Sequence, residues 1–258
     1  MNMEAISKIE FDIPVQFLHL FSNESLKLKQ TALLFYPSIQ NGDISSGKVA
    51  EILGIHKSEL LDIYGELGLP YFDLTEEELE KDLQNLKKYS RLIMIVIPDT
   101  APIISLLKIN RLDLLQELFG TVFIPQGVYD ELTQNEKYEL EAKVILNSDF
   151  IQNRRVLNQE AVHILETITQ LDKGESEAII LFRELNAQLL LIDKRRGRDV
   201  AEQLQIPLSG TISILLKAFD NNLLTRQQVL EYLDIFQQES IRFSPKLINL
   251  VNRHLHDE

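Results

Sequence analysis

The stretch LIMIVIPD, residues 92–99, decides the fold class of this chain. It is an apolar, β-branched run that ends in an aspartate, and a similar run, LLLID, occupies residues 189–193. Two shorter apolar runs, residues 122–124 and 206–208, lie between helical patterns in the same part of the chain. Apolar strands separated by helices are typical of a parallel sheet that is covered on both faces. We therefore predict an α/β domain over residues 92–258.

Four acidic side chains follow these strands. Asp99 and Asp193 come directly after the two longest runs, at the end of the sheet where open α/β folds bind ligands. Glu131 and Glu177 lie early in the helices that follow. Each acid alone has a structural alternative, since aspartate caps helices and glutamate favours a helix N-terminus. Four carboxylates on one rim would repel one another, so together they predict a site for Mg²⁺ or Mn²⁺ that activates water for phosphodiester cleavage.

The composition limits the possible functions. The chain has 258 residues and no cysteine, which excludes disulfides, zinc–thiolate sites and cysteine nucleophiles. A formal net charge of −13 argues against a protein that coats nucleic acid, but it is compatible with a nuclease whose acids are screened by metal. No signal peptide is recognisable, and the apolar runs are too short to span a bilayer. We expect a cytoplasmic protein without a membrane segment.

One basic run stands out in this acidic chain. The sequence KRRGR, residues 194–198, directly follows Asp193 and contains Lys194, Arg195, Arg196 and Arg198. The functional interpretation is that these side chains contact nucleic-acid phosphates beside the metal. The alternative is a solvated loop whose charges balance neighbouring acids.

The charge distribution indicates two modules. Up to residue 90 the chain has 8 lysines and no arginine against 15 acids, and every arginine lies beyond that point. The first module, residues 1–87, is predicted to be small and mainly helical, with a short strand at residues 9–13. Two short helices about Gly54 form a helix-turn-helix pattern. Its second helix either recognises DNA, with His56 and Lys57 as phosphate partners, or serves only for packing.

The second module resembles a PIN-like family found in prokaryotic toxin–antitoxin loci. Five ordered blocks carry the resemblance, and they are PDTAPIISLLKINRLDLL (98–115), VFIPQGVYDEL (122–132), LDKGESEAI (171–179), LIDKRRGRDVA (191–201) and SGT (209–211). The resemblance implies an α/β/α fold, a metal-dependent ribonuclease activity and a homodimer. It also implies a ligand set, which consists of Asp99, Glu131, Glu177 and Asp193.

Some positions of that implied site have alternatives. The third block offers Glu175 as well as Glu177, and we prefer Glu177 because it precedes Ala178 as the corresponding acid does in the wider family. Thr100 is expected to hold the Asp99 loop, and Thr211 to support the site or a phosphate. Both threonines could equally be ordinary helix caps.

The first module resembles a small antitoxin family that is commonly encoded beside these PIN-like proteins. The similarity covers residues 8–82 and is carried by FDIP (11–14), GKVAEILGI (47–55), ELL (59–61) and ELGLP (66–70). Together the modules resemble an antitoxin fused to its toxin. We predict a ribonuclease restrained by its own first module. The competing hypothesis is a regulatory DNA-binding protein with an inactive PIN fold.

The last segment of the first module is acidic and is predicted to be an amphipathic helix. Leucines 74, 79, 83 and 86 form an apolar stripe along it, between acids and Lys87 and Lys88. We hypothesise that this helix lies across the nuclease domain and limits access to the metal site. Its acids would pair with residues 194–198, or one of the two lysines would reach the carboxylates. The alternative is a solvated linker without an inhibitory role.

Overall fold

The computed structural model describes residues 23–70, 74–89, 94–134, 139–239, 241 and 243–256. The strand predicted for residues 9–13 and the helical pattern predicted from Val15 to Phe21 lie outside these residues. In the described part, no helix is both long enough and apolar enough to cross a membrane.

Between residues 23 and 70, the described part of the first module forms α1 (Glu24–Gln40), α2 (Ser46–Leu53) and α3 (Lys57–Glu66). Ser45 caps α2 by accepting a hydrogen bond from the Lys48 amide. Gly54 ends α2 in a left-handed conformation, with φ of 67°, which glycine adopts without the Cβ clash of other residues. Val49, Leu60 and Tyr64 belong to a small core shared by the three helices. The predicted helix pair and the mainly helical class of this module are therefore confirmed.

Five parallel strands form the sheet of the second module: β1 (Val96–Pro98), β2 (Val122–Pro125), β3 (Ile151–Arg154), β4 (Leu189–Leu191) and β5 (Leu208–Ser209). Their order is β3-β2-β1-β4-β5, and every pairing is parallel. The chain moves outward from β1 to β3 and then returns to place β4 on the other side of β1. The boundary between β1 and β4 is thus the topological switch point, where open α/β sheets form their ligand crevice.

Helices surround the sheet, as the sequence predicts. They are α4 (Glu76–Tyr89), α5 (Thr100–Lys108), α6 (Asp113–Phe119), α7 (Gln126–Thr133), α8 (Glu139–Leu146), α9 (Gln159–Thr169), α10 (Lys173–Glu184), α11 (Arg195–Gln203), α12 (Thr211–Asp220), α13 (Arg226–Gln238) and α14 (Pro245–His254). Strand β3 was not predicted, because its sequence IQNR is polar and it lies at the edge of the sheet.

Helix α4 packs into the core of the second module. Leu74, Leu79, Leu83 and Leu86 are 5%, 5%, 7% and 2% exposed, and they share a hydrophobic cluster with β1, β2 and α12. The predicted apolar stripe is therefore correct, and it faces the sheet domain rather than helices α1–α3. The segment is therefore not a solvated linker, because a solvated helix would leave this stripe in water. An inhibitory role for the segment stays a prediction.

This packing leads to a prediction about truncated chains. A protein that begins at residue 88 loses four buried leucines, each of which contributes about 1.5–3 kcal/mol by burial. One that begins at residue 74 keeps them. We expect the longer fragment to unfold cooperatively on heating and the shorter one to be strongly destabilised. Equal melting temperatures of the two fragments, measured by circular dichroism, would contradict the assignment of α4 to this core.

Candidate active site

Asp99 lies at the carboxyl end of β1 and is fully buried. It occupies the N-cap position of α5 but makes no capping hydrogen bond with its side chain. Among the described residues, neither carboxylate oxygen of Asp99 has a hydrogen-bond partner. Burial raises the pKa of Asp99 to about 6, although the positive charge of Lys57 opposes the shift. The capping alternative does not account for this carboxylate, since a buried acid without hydrogen bonds costs folding free energy.

Asp193 lies beyond the carboxyl end of the neighbouring strand β4, and Thr211 holds it. The Thr211 amide donates to Asp193 Oδ1 at 2.7 Å, and the Thr211 hydroxyl donates to Oδ2 at 2.6 Å. Burial raises the pKa of Asp193 to about 6, although the two hydrogen bonds from Thr211 and the positive charge of Arg198 lower it. The pKa of Asp193 also rises through repulsion from Asp99, so the two strand-end acids belong to one electrostatic site.

Glu131 reaches the same region from α7. Its Oε2 accepts a hydrogen bond from the Thr100 hydroxyl at 2.7 Å. Thr100 therefore orients Glu131, whereas the sequence had suggested that its hydroxyl holds the Asp99 loop. Burial raises the pKa of Glu131, and the charge of Lys57 lowers it.

The amino-terminal turn of α10 contributes two further acids, Asp172 and Glu175. They form a capping box, in which Asp172 Oδ1 accepts from the Glu175 amide at 2.8 Å and Glu175 Oε2 accepts from the Asp172 amide at 3.0 Å. Burial and the charge of Asp172 raise the pKa of Glu175 well above its ordinary value, and Asp99 also contributes to that rise. Both acids thus belong to the cluster around Asp99, although the sequence analysis had not selected Asp172.

Glu177 is oriented differently from Glu175. Its Oε2 accepts a hydrogen bond from the Gly127 amide at 2.7 Å, and its Oε1 lies 3.8 Å from Lys173 Nζ. These contacts tie α10 to the start of α7. The ligand role predicted for Glu177 stays a prediction. The contacts of the two glutamates favour Glu175 over Glu177 as a candidate metal ligand.

A lysine from the first module enters this acidic cluster. Lys57, at the start of α3, is 7% exposed. Its Nζ donates to Asp172 Oδ2 at 2.9 Å and lies 3.7 Å from Glu131 Oε1. Burial alone would lower the pKa of Lys57, but the surrounding carboxylates raise it well above the ordinary value. Those carboxylates belong to Asp172, Asp99, Glu131 and Glu175. The ammonium is therefore charged and offsets part of the negative charge of the cluster.

Two glycines allow the first module to approach this closely. A Cβ atom on Gly47 of α2 would lie 1.7 Å from Asp172 Oδ2, and one on Gly42 would lie 2.6 Å from Asp199 Oδ2. The Ser45 amide also donates to the Gln170 carbonyl at 3.4 Å. The start of α2 thus contacts the second module beside Lys57, and only a glycine fits at residue 47 in this arrangement.

The basic run that follows Asp193 is largely paired within the protein. Lys194 is buried and lies 3.2 Å from Asp172 Oδ2 and 3.1 Å from Glu175 Oε1. Arg196 donates to the Thr169 carbonyl at 2.7 Å. Lys194 and Arg196 are therefore engaged within the protein in this conformation. An RNA-binding role for these residues stays a prediction.

The remaining two arginines of that run pair with helix α4. Arg195 contacts Glu78 in an ion pair, and Arg198 forms a bidentate, buried pair with Asp82. The predicted pairing of α4 acids with residues 194–198 is thereby confirmed for Arg195 and Arg198. That α4 limits access to the metal site stays a prediction. Lys57 of the first module and Lys194 both reach the carboxylates. Lys87 and Lys88 are exposed.

In this conformation, no three acidic or histidine side chains of the described residues are arranged to hold a metal ion together. The Lys57 ammonium lies among these carboxylates, 2.9 Å from Asp172 Oδ2 and 3.7 Å from Glu131 Oε1. The donor chemistry nevertheless suits a hard divalent cation, since Asp99 offers two buried oxygens without hydrogen bonds.

Lys57 and Asp172 belong to this site but are not among the site residues predicted from the sequence. The Asp172-Lys-Gly-Glu175 spacing is a recognisable capping box, so a signal for the placement of Asp172 was present. No local signal marks Lys57, because its partners lie 74 to 115 positions away in the chain.

Comparisons with known proteins agree with this architecture. A family model described as a PIN domain matches residues 95–257, and a model for an uncharacterised protein family (UPF0175) matches residues 3–88. The latter corresponds to the antitoxin-like module. Comparisons with curated proteins and with solved structures give no significant match. Because the first model covers more than half of the chain and agrees with the parallel sheet and its acidic switch point, this protein belongs to the PIN domain family.

Proposed function

We propose that this protein is a metal-dependent RNA endonuclease of the toxin–antitoxin type, held inactive by its own first module. The observation that carries the proposal is the position of the Lys57 ammonium, 2.9 Å from Asp172 and 3.7 Å from Glu131. A nuclease needs a cation among these carboxylates, and here a side chain of the first module supplies the positive charge instead.

Asp99, Glu131, Glu175 and Asp193 are the residues that would hold Mg²⁺ or Mn²⁺ after Lys57 has left. A cation bound there supplies charge neutralisation and an activated water for phosphodiester hydrolysis. The protein's own contribution is orientation, since Thr100 fixes Glu131 and Thr211 fixes Asp193. The capping box fixes Glu175 in the same way. Such supporting contacts set the affinity of a metal site.

The nuclease is restrained because Lys57 and a divalent cation exclude each other from the site. The ammonium and a divalent cation would interact with the same carboxylates, so binding of one disfavours binding of the other. Because α1–α3 share a chain with the nuclease domain, their effective concentration at the site is high, and even a weak contact keeps the site closed. Activation therefore requires that α3 moves away from the carboxylates, as it would after a partner binds the first module or after proteolysis.

The competing hypothesis of DNA recognition by α3 receives little support from this arrangement. Lys57, one of its two candidate phosphate partners, is buried against the nuclease domain. Glu59 and Asp62 of the same helix would face phosphates with like charge. The expected homodimer and a cytoplasmic location stay predictions.

The direct test compares the full-length protein with a fragment that begins at residue 74. Both are loaded with Mn²⁺ and incubated with a mixed RNA pool whose new ends are sequenced. The fragment keeps α4 and lacks Lys57, so we expect it to cleave RNA and the full-length protein to be nearly inactive. Residues 1–70 added in trans should restore inhibition at higher concentration. Equal specific activity of two folded, metal-loaded proteins would reject the restraint, and inactivity of both would leave the nuclease assignment without support.

A second prediction concerns the glycine at the interface. Gly47→Ala adds a Cβ atom that would lie only 1.7 Å from Asp172 Oδ2. We expect the first module to detach while its own three-helix core remains folded, because alanine is favourable within a helix. RNA cleavage by the full-length variant should rise. Ile52→Ala, at a 55% exposed position of the same helix, is the control and should leave the protein inactive. A Gly47→Ala protein that stays as inactive as the control would show that this contact does not hold the closed state.

A further inference from the structure

Asp82 is a fully buried carboxylate contributed by helix α4. Its Oδ1 accepts from Arg198 Nη2 at 2.7 Å, and its Oδ2 accepts from Arg198 Nη1 at 3.1 Å. The Ser213 hydroxyl donates to Oδ2 at 3.2 Å. The segment that carries Asp82 belongs to the match with the first family, not to the match with the PIN domain. A residue from outside the nuclease family match therefore completes a buried ion pair within the nuclease domain.

Arg198 lies between Asp82 and the candidate site. Its Nη1 also donates to the carbonyl of Ile192, the residue that precedes Asp193, at 3.2 Å. A Cβ atom built on Gly210 would be 2.6 Å from Asp193 Oδ1 and 3.4 Å from Arg198 Nη1, so the carboxylate and the guanidinium flank the same small residue. Asp193 is thus a second carboxylate close to Arg198, on the side of the candidate site.

We propose that Asp82 is a positioning residue of the nuclease centre, which engages Arg198 and thereby keeps the Asp193 carboxylate available to a divalent cation. The inference rests on the proposed function, since it concerns the same metal centre. It also divides the first family's segment into two parts with opposite effects. Lys57 of α3 closes the centre, and Asp82 of α4 maintains it.

The physical reason is that a guanidinium keeps its charge at any pH a protein meets. A buried guanidinium without a partner costs several kcal/mol, so it turns to any carboxylate within reach. Without the charge of Asp82, that carboxylate is Asp193. An Arg198–Asp193 pair would then compete with the cation, as Lys57 does for the other acids.

The experiment uses the full-length chain carrying Lys57→Met, in which the site is open, and measures the affinity for Mn²⁺ by calorimetry. Asp82→Asn should weaken Mn²⁺ binding roughly 10- to 100-fold, the usual effect of losing a supporting contact. Asp82→Glu, which keeps the charge, should bind more tightly than Asp82→Asn. The control Ser213→Ala removes the other hydrogen bond to Asp82 and should change the affinity by less than about threefold.

The Arg198→Met variant distinguishes a positioning role of the ion pair from a purely structural role. Positioning predicts that Arg198→Met alone does not weaken Mn²⁺ binding, and that Asp82→Asn combined with Arg198→Met recovers the affinity of the parent. A structural role predicts that both single variants weaken binding alike. The inference is overturned if Arg198→Met weakens Mn²⁺ binding or if Asp82→Asn leaves it unchanged. The measurement on Arg198→Met remains decisive even if Asp82→Asn does not fold. Absence of Mn²⁺ binding by the Lys57→Met parent would instead refute the metal centre of the proposed function.

Discussion

Replacing Lys57 with methionine is expected to turn the full-length protein into an active ribonuclease. The substitution keeps the length of the side chain and removes the charge that offsets the carboxylates around it. When two ligands exclude each other with a coupling free energy of the usual size, removing one raises the affinity for the other by about 5- to 150-fold. We expect the upper part of this range for both Mn²⁺ affinity and the rate of RNA cleavage, because Lys57 lies directly among the proposed metal ligands.

Stability should change in the opposite direction when metal is absent. Removing one partner of a buried ion pair leaves an uncompensated charge, which costs about 3–5 kcal/mol. The Lys57→Met protein should therefore melt at a lower temperature than the parent in EDTA. Mn²⁺ should restore much of the difference, because a ligand that binds the folded state stabilises it.

The matched control is Lys29→Met, which makes the same substitution on the surface of the same three-helix module. Lys29 pairs with Glu66 and has a side chain that is 36% exposed. We expect no gain of activity from it. If Lys57→Met and Lys29→Met are equally inactive while both are folded and bind Mn²⁺, Lys57 is not the group that closes the site.

Asp99→Asn is expected to abolish cleavage in the Lys57→Met protein. The loss should be roughly a thousandfold, equivalent to about 4 kcal/mol of transition-state stabilisation, because a neutral amide cannot replace a charged metal ligand. Metal-free stability should hold or rise. Burial raises the pKa of Asp99 to about 6, so at neutral pH the fold disfavours its ionised form, and the substitution removes that charge.

This combination of effects distinguishes a ligand from a structural acid. Asp130→Asn is the control, since Asp130 lies one position before Glu131 and accepts from Gln126 Nε2 at 2.8 Å. It should retain most of the activity. Metal-dependent cleavage that survives Asp99→Asn would refute the assignment of this centre, whereas a loss of activity accompanied by a lower melting temperature would indicate that Asp99 serves the fold.

The sequence by itself determined the inner strands of the sheet and the acids that follow them. Strands β1 and β4 are recognisable because they are buried on both faces and therefore uniformly apolar. An aspartate directly after such a strand is forced to the carboxyl end of the sheet, so Asp99 and Asp193 could be placed without coordinates. The stripe of leucines on α4 was readable for a similar reason, since burial imposes a helical period.

Only the tertiary structure decided which charges meet. Glu175 and Glu177 are two positions apart, and both fit the sequence pattern, but the capping box turns the first toward Asp99, and the Gly127 amide binds the second. Lys57 looked like a surface residue of a helix pair, because nothing in its own segment indicates that it contacts Asp172 and Glu131 of the second module. Arg198 looked like an RNA contact until its buried partner Asp82 was known. Periodicity reports the burial of apolar residues along one element, whereas the pairing of charges depends on contacts between elements that lie far apart in the chain.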